Sequence, residues 1–210
     1  MKLKLVQKLK NDRRLVRRIK QFLNKINFKT EHLIRYVSRE EIKNLLKKEV
    51  SKNISILEIS ESEYWKEILE YESFTSMNYP EYNICVDYLD KKYDLIIADN
   101  VWEHLKYPYK ASKNVLKMLK PNGKFLLIVP FLVRQHDVPI DCTRWTEKGL
   151  KYFLEETGFN KNKIKTGSWG NKECVISNLR TDGKWTRVGF YSNLKNEKNF
   201  SVQVWAIAGI

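Results

Sequence analysis

The first 122 of the 210 residues contain no glycine; all eight glycines lie from Gly123 onward. Every turn and every approach of backbone to a ligand in that stretch is made by residues carrying a Cβ, which excludes an ordinary Gly-rich phosphate or dinucleotide loop there. Cysteine is scarce too. Cys85, Cys142 and Cys174 are odd in number, widely spaced and without a CxxC pair, which argues against a disulfide framework or a zinc knuckle and makes a reducing cytoplasm the expected setting. No apolar run approaches the roughly 18–20 residues of a membrane span, and the N-terminus alternates Lys with Leu where a signal peptide would need an apolar core. The chain is expected to be neither an integral membrane protein nor secreted by that route.

What is present is ample for a core: 42% of residues are apolar and 12% aromatic. Length and composition fit one globular domain with an extension, folded as α/β or α+β. The charge is concentrated at one end. Residues 1–50 hold 16 Lys/Arg against 5 Asp/Glu, leaving 23 against 20 for the remainder, so the pI of about 9.6 describes a basic arm more than a basic domain. Between Arg13 and Ile26 the residues Leu15, Val16, Ile19, Phe22, Leu23 and Ile26 form one stripe of an amphipathic helix, with five basic residues off it. Such a helix can dock on its own domain, cap a neighbouring site or lie on anionic lipid, and residues 1–30 are the candidate for peripheral membrane contact. Ser38 and Glu41 make a capping-box pattern that predicts a second helix from Arg39 to about Val50. The expected organisation is a basic helical extension over residues 1–50 and a catalytic-type domain over 51–210.

After Asn53 helical periodicity gives way to short buried runs separated by helices. Strands are expected at 54–59, 93–98, 124–129 and 201–208, with weaker ones around 73–77 and 83–86. Helices are expected at 64–71, at 111–119 before the turn Pro121-Asn122-Gly123, and from Thr146 as N-cap to Glu156, with Gly158 supplying the left-handed residue that ends it. The alternation predicts a three-layer αβα sandwich with a mainly parallel sheet, in which ligands bind at the carboxyl ends of the strands.

The ordered segments "ILEIS" (56–60), "YDLIIADNVWEHL" (93–105), "NVLKMLKPNGKFLLIVPFL" (114–132) and "GLKYFLEETGF" (149–159) resemble class I methyltransferases that use S-adenosylmethionine. More narrowly, "PFLVRQHDVPIDCTRWTEKGL" (130–150) and "TGSWGNKECV" (166–175) resemble bacterial methyltransferase-domain proteins associated with surface-polysaccharide genes. The resemblance implies a Rossmann-like fold with a seven-stranded sheet whose last strand, 201–208, is antiparallel, preceded by N-terminal helices. It implies S-adenosylmethionine as cofactor. Carried over by position, Glu58 falls beside the methionine portion, Ser60 opens the cofactor turn as a binding candidate, and Asn78 falls at the ribose hydroxyls. Asp87 and Tyr88 fall at the adenine, and Asp99 and Asn100 beside the reactive methyl. Two positions depart from the family: its glycine-rich turn is here Ser60-Glu-Ser-Glu-Tyr64, and Asn78 stands where a carboxylate is usual, with fewer acceptors and no charge.

Methylation of a hydroxyl calls for in-line approach and a base, and His suits that role near neutral pH. His136 is the first candidate base and His104 the second; loop anchoring through hydrogen bonds competes with both roles. Arg144 and Asp141 are candidate substrate contacts, a mutual ion pair being the alternative. His136, Asp141, Asp99 and Glu103 lack a spaced ligand signature, so no metal is expected. Trp145, Trp169 and Trp185 are candidates for stacking on a sugar, core packing being the alternative, and 167–171 reads as a tight turn near the substrate mouth. The leading expectation is O-methylation of a small-molecule or carbohydrate acceptor. A degenerate methyltransferase fold acting as a scaffold is the alternative, and nucleic acid is disfavoured because no basic strand face carries interleaved aromatics. The sequence leaves the oligomeric state open.

Overall fold

A computed structural model describes residues 32–60, 63–180, 185–187 and 192–210. The amphipathic helix expected at 13–26 lies outside them. The order of elements is α1 (Leu33–Glu49), β1 (Ile54–Ile59), α2 (Glu63–Ile68), β2 (Tyr71–Met77), β3 (Tyr93–Asp99), α3 (Pro108–Met118), β4 (Leu119–Pro130), α4 (Glu147–Thr157), β5 (Ile164–Trp169), α5 (Lys172–Asn178) and β6 (Gln203–Gly209), with short 3₁₀ turns at Trp102–His104, Lys161–Lys163 and Lys198–Phe200.

The strands form one sheet in the order β2-β1-β3-β4-β6-β5. The pairs β1/β2, β1/β3 and β3/β4 are parallel, while β6 runs antiparallel to both β4 and β5. All six residues of β1 are buried, Ser55 and Glu58 included, as befits a strand covered on both faces. Successive side chains alternate between two cores. Leu57, Ile96 and Leu127 join Val115 of α3 and Leu154 of α4 on one face. Ile56, Leu95, Ile97 and Leu126 join Ile42 and Leu46 of α1, Trp65 of α2 and Cys174 of α5 on the other.

Among the described residues six strands form where the resemblance implied seven. The segment expected as a weak strand at 83–86 is a turn instead. Asn83 O accepts from both Val86 N and Asp87 N, and the Asp87 carboxylate closes the turn by accepting from Asn83 N at 2.6 Å. Those local bonds occupy the backbone groups a strand would offer to a neighbour. The Pro121-Asn122-Gly123 turn is absorbed into β4 as an irregularity: pairing moves from Tyr93↔Leu119 to Leu95↔Lys124. Gly123 is required there, because a Cβ would stand 2.8 Å from Tyr93 O and 3.0 Å from Lys120 O.

The expected helix starting at Arg39 begins six residues earlier. Ser38 is inside it and donates its hydroxyl to Ile34 O at 2.7 Å, so it does not act as a cap. Leu33, Ile34, Ile42 and Leu46 are buried in the second core, and the packed unit therefore includes α1 rather than beginning at residue 51. At the other end, Thr146 accepts from Gly149 N and Gly158 adopts φ 113° after α4, as its sequence predicts. No helix among the described residues is long and apolar enough to cross a membrane.

One polar contact locks α1 to the sheet. Arg39 donates from Nη2 to Asp99 Oδ2 at 2.9 Å and from Nε at 3.2 Å, with the two side chains 10% and 4% exposed. Trp65 Nε1 donates to the same oxygen at 3.0 Å, and the guanidinium lies 4.4 Å from the Tyr64 ring centroid. Arg39→Met is expected to lower unfolding stability by about 3 kcal/mol in urea melts, because it leaves a buried carboxylate without its cation. A loss comparable to an exposed pair, under about 1 kcal/mol, contradicts this account.

Candidate functional site

The parallel strands end on one edge, and the segments that follow them enclose a cavity of about 510 Å³. Ile59 and Ser60 contribute from the end of β1, Met77 from β2, and Asn100, Val101 and His104 from the segment after β3. The turn at 83–86 and the segment 138–140 supply the facing walls. Most of this surface is apolar, with Ser60, Asn83, Asn100, His104 and Lys106 as its polar residues.

Two residues at the rim hold left-handed backbone without being glycine. Ser60 has φ 68° and Asn100 has φ 59°. Asn tolerates that region, and Asn100 is further held by its Nδ2 donating to Asp99 Oδ1 at 2.7 Å and by Gln203 Nε2 donating to its Oδ1 at 2.8 Å. Ser60 is held by its N–H donating to Met77 O at 3.0 Å. The position where the related turn carries glycine thus keeps the glycine conformation with a serine in it. Glu61 and Ser62 lie outside the described residues.

Beside the cavity the 3₁₀ turn Trp102–His104 points its side chains in different directions. Trp102 is fully buried and donates to Ser112 Oγ on α3 at 3.0 Å. Glu103 is also fully buried, its carbonyl accepting from Cys142 N and Thr143 N, so the turn is stitched to the long segment after β4. Among the described residues neither Glu103 carboxylate oxygen has a hydrogen-bond partner; His104 Nε2 lies 3.5 Å from Oε1. His104 Nδ1 lies 2.5 Å from Ile140 O. His136 stacks edge-on against His104, with ring centroids 5.1 Å apart, and also against Trp185 at 5.5 Å.

The charges of this cluster follow from its burial. Desolvation raises the Glu103 carboxyl to about 8, with the Asp99 and Asp141 carboxylates pushing the same way and Arg144 opposing. Burial also lowers the His136 imidazole, against the pull of Arg134 O and Asp141. Asp141 titrates below the usual carboxylate range because Arg144 and the His136 N–H donate to it.

The cavity receives Ser60, Asn100 and His104 of the candidate residues, with His136 adjoining through His104. Glu58 and Asp99 lie on the α1/α2 face by strand alternation, and neither is in the lining. Asn78 is outside it as well. Asp87 is committed to its turn, and Tyr88 is exposed with Lys117 Nζ 4.3 Å from its ring centroid. Arg144 and Asp141 pair with each other through both carboxylate oxygens, beside a separate open hollow of about 290 Å³. The segment 167–171 is not a turn at the mouth: Gly167–Trp169 belong to β5, and Asn171 caps α5 by accepting from Cys174 N. Trp169 is buried and Trp145 packs on Phe153, whereas Trp185 reaches the site, between His136 and Arg134. Sequence reasoning missed Arg39, which carried no signal beyond its place on a helix, and gave Glu103 only a passing role.

Ser60→Gly is expected to raise unfolding stability by about 1 kcal/mol in denaturant melts, since a Cβ in the left-handed region costs roughly 1–2 kcal/mol; unchanged stability denies the strain. Glu103 gives a pH signature with a definite sign. Its folded-state value is raised, so between about 4.5 and about 8 the native state keeps a proton that the unfolded chain has released, and stability falls as pH rises through that window. In chelator-containing buffer, Glu103→Gln is expected to flatten the decline, read as urea midpoints at pH 5 and pH 8. An equal decline in both proteins contradicts it.

The methyltransferase domain family matches residues 51–162, just over half of the chain. Among solved structures, a methyltransferase from Mesorhizobium loti described as S-adenosylmethionine dependent is 12% identical, with 80% of this chain and 95% of that one aligned at a TM-score of 0.54. A chain from the complex of the Haloferax volcanii Trm112 methyltransferase activator with a putative methyltransferase is 10% identical over 84% and 96%, with a TM-score of 0.51. The glycopeptide N-methyltransferase MtfA, complexed with S-adenosylhomocysteine, is 12% identical over 81% and 88%, with a TM-score of 0.50. No curated protein matches significantly. At such identities the structural likenesses establish the fold, and with the domain match they lead to one assignment: the chain belongs to the methyltransferase domain family.

Proposed function

We propose that the chain is an S-adenosylmethionine-dependent methyltransferase acting at an oxygen of a small-molecule or carbohydrate acceptor, within bacterial surface-polysaccharide chemistry. The observation that carries the reading is the cavity at the carboxyl ends of β1, β2 and β3, where ligands bind in open α/β sheets. Its residues fit an adenosyl group. Ile59, Met77, Ile84 and Val101 offer apolar surface for a base and the face of a ribose, and Ser60, Asn83 and Asn100 offer polar atoms at their edges. A volume of about 510 Å³ falls within the range of small-molecule pockets. The cofactor, when bound, supplies an activated methyl carried on a sulfonium.

The chain's own residues hold and orient. Ser60 and Asn100 hold left-handed backbone at the rim, and Gln203 and Asp99 fix the Asn100 amide between them. Tyr79, Tyr82 and Tyr107 are exposed aromatics on the lining, suited to the apolar face of a sugar. His104, with His136 behind it, is the polar end at which a hydroxyl proton is handled.

Calorimetric titration of the purified protein with S-adenosylmethionine is expected to show saturable binding that Val101→Trp abolishes by filling the cavity. With a glycan acceptor, His104→Ala is expected to lower kcat by about 10²–10⁴-fold while cofactor affinity is kept. Absence of both heat and thermal protection defeats the reading and favours a non-catalytic scaffold.

A further inference from the structure

Glu103, His104 and His136 each offer one metal-ligating atom, and the three atoms lie within 4.8 Å of one another. Glu103 is fully buried and, among the described residues, both its carboxylate oxygens lack a hydrogen-bond partner, an unfavourable arrangement for a polar group unless something else occupies the site. The imidazoles are oriented from behind. Because a carbonyl oxygen only accepts, the contact of His104 Nδ1 with Ile140 O puts the proton on Nδ1 and leaves the lone pair on Nε2, the atom already 3.5 Å from Glu103 Oε1. His136 Nδ1 lies 3.3 Å from both Arg134 O and Asp141 Oδ2, two acceptors against the one donor, Arg144 Nη2, at 3.4 Å. The proton therefore belongs on Nδ1 here too. A ring N–H given to a carboxylate or backbone carbonyl, with the other nitrogen turned to the ion, is how metal-binding histidines are commonly supported.

We infer that Glu103, His104 and His136 form a binding site for a first-row divalent cation of the zinc or cobalt type, supported from behind by Ile140 O and Asp141. Two imidazoles and one carboxylate suit such an ion better than Mg²⁺, which prefers oxygen ligands and keeps its waters. Bonds of about 2.0–2.1 Å in a tetrahedral site place donor atoms roughly 3.4 Å apart. The Glu103–His104 pair already has that spacing, so His136 supplies most of the closure. His104 lines the cavity, and three protein ligands leave a position open to its contents. The link to methyl transfer rests on the function proposed above: an acceptor hydroxyl bound to the cation would lose its proton more readily, the proton passing to solvent water at the cavity mouth while His104 serves that polar end as a ligand.

The test uses the full chain, stripped with chelator, and Co²⁺ as the probe. One Co²⁺ per chain is expected, with visible d–d absorption that Zn²⁺ displaces. His104→Ala and His136→Ala are expected to abolish the absorption while circular dichroism stays native, which keeps the test independent of whether Glu103→Gln folds. Asp141→Asn is expected to weaken Co²⁺ by about 10–100-fold. Absorption that is absent, or unchanged in both histidine variants, or uptake of Mg²⁺ alone, overturns the site. Co²⁺ binding without S-adenosylmethionine binding defeats the proposed function and leaves the metal site standing; the converse defeats only the metal site.

Discussion

The Asp99 carboxylate is the point through which the helical layer and the binding edge are held in register. One oxygen takes donors from Arg39 on α1 and Trp65 on α2, while the other takes the Asn100 amide. Asn100 in turn receives Gln203 at the start of β6. A single residue at the end of β3 thus joins two helices of one layer to the antiparallel strand at the far side of β4. A charge kept away from water needs compensation from fixed donors, so these neighbours have little freedom to move without stranding it. The left-handed turn at Asn100, and through it the direction taken by Val101–His104, inherits that rigidity.

The 3₁₀ turn that follows divides apolar from polar chemistry in three residues. Trp102 anchors it in the core under α3, the Glu103 carboxyl is driven inward without a hydrogen-bonding partner among the described residues, and His104 emerges at the cavity. The segment after β4 closes over it through Cys142 N, Thr143 N and Ile140 O. The Arg144–Asp141 pair then neutralises the charge nearest His136. In this arrangement the arginine serves the loop first, which is why it offers less to an incoming anion than its position after a strand suggests.

Much of this fold is written in local patterns. The buried runs at β1, β3 and β4, the Thr146 and Gly158 boundaries of α4, and the strand at the end all follow from periodicity and capping, because they depend on neighbours a few residues away, whereas the antiparallel sense of that strand was implied by the family resemblance. The failures lie where longer-range or competing local bonds decide. The turn at 83–86 reads as a strand until the Asp87 carboxylate is seen to close it, and Ser38 reads as a cap until the helix is seen to run through it. The reach of α1 into the core is invisible to a composition count that sees only its lysines and arginines.

For the site, the sequence alone determined the residues with chemical capacity: His104 and His136, the absence of glycine after β1, and the family that the ordered motifs indicate. Only the tertiary structure decided which of them meet. Residues 103, 104 and 136 converge because parallel strands deliver their following segments to one edge, whereas Glu58 and Asp99, equally prominent in the text, are sent by strand alternation to the opposite face. The missing glycine likewise changed meaning in three dimensions. Serine at 60 keeps the left-handed backbone that a glycine would adopt without strain, its N–H bonded to Met77 O.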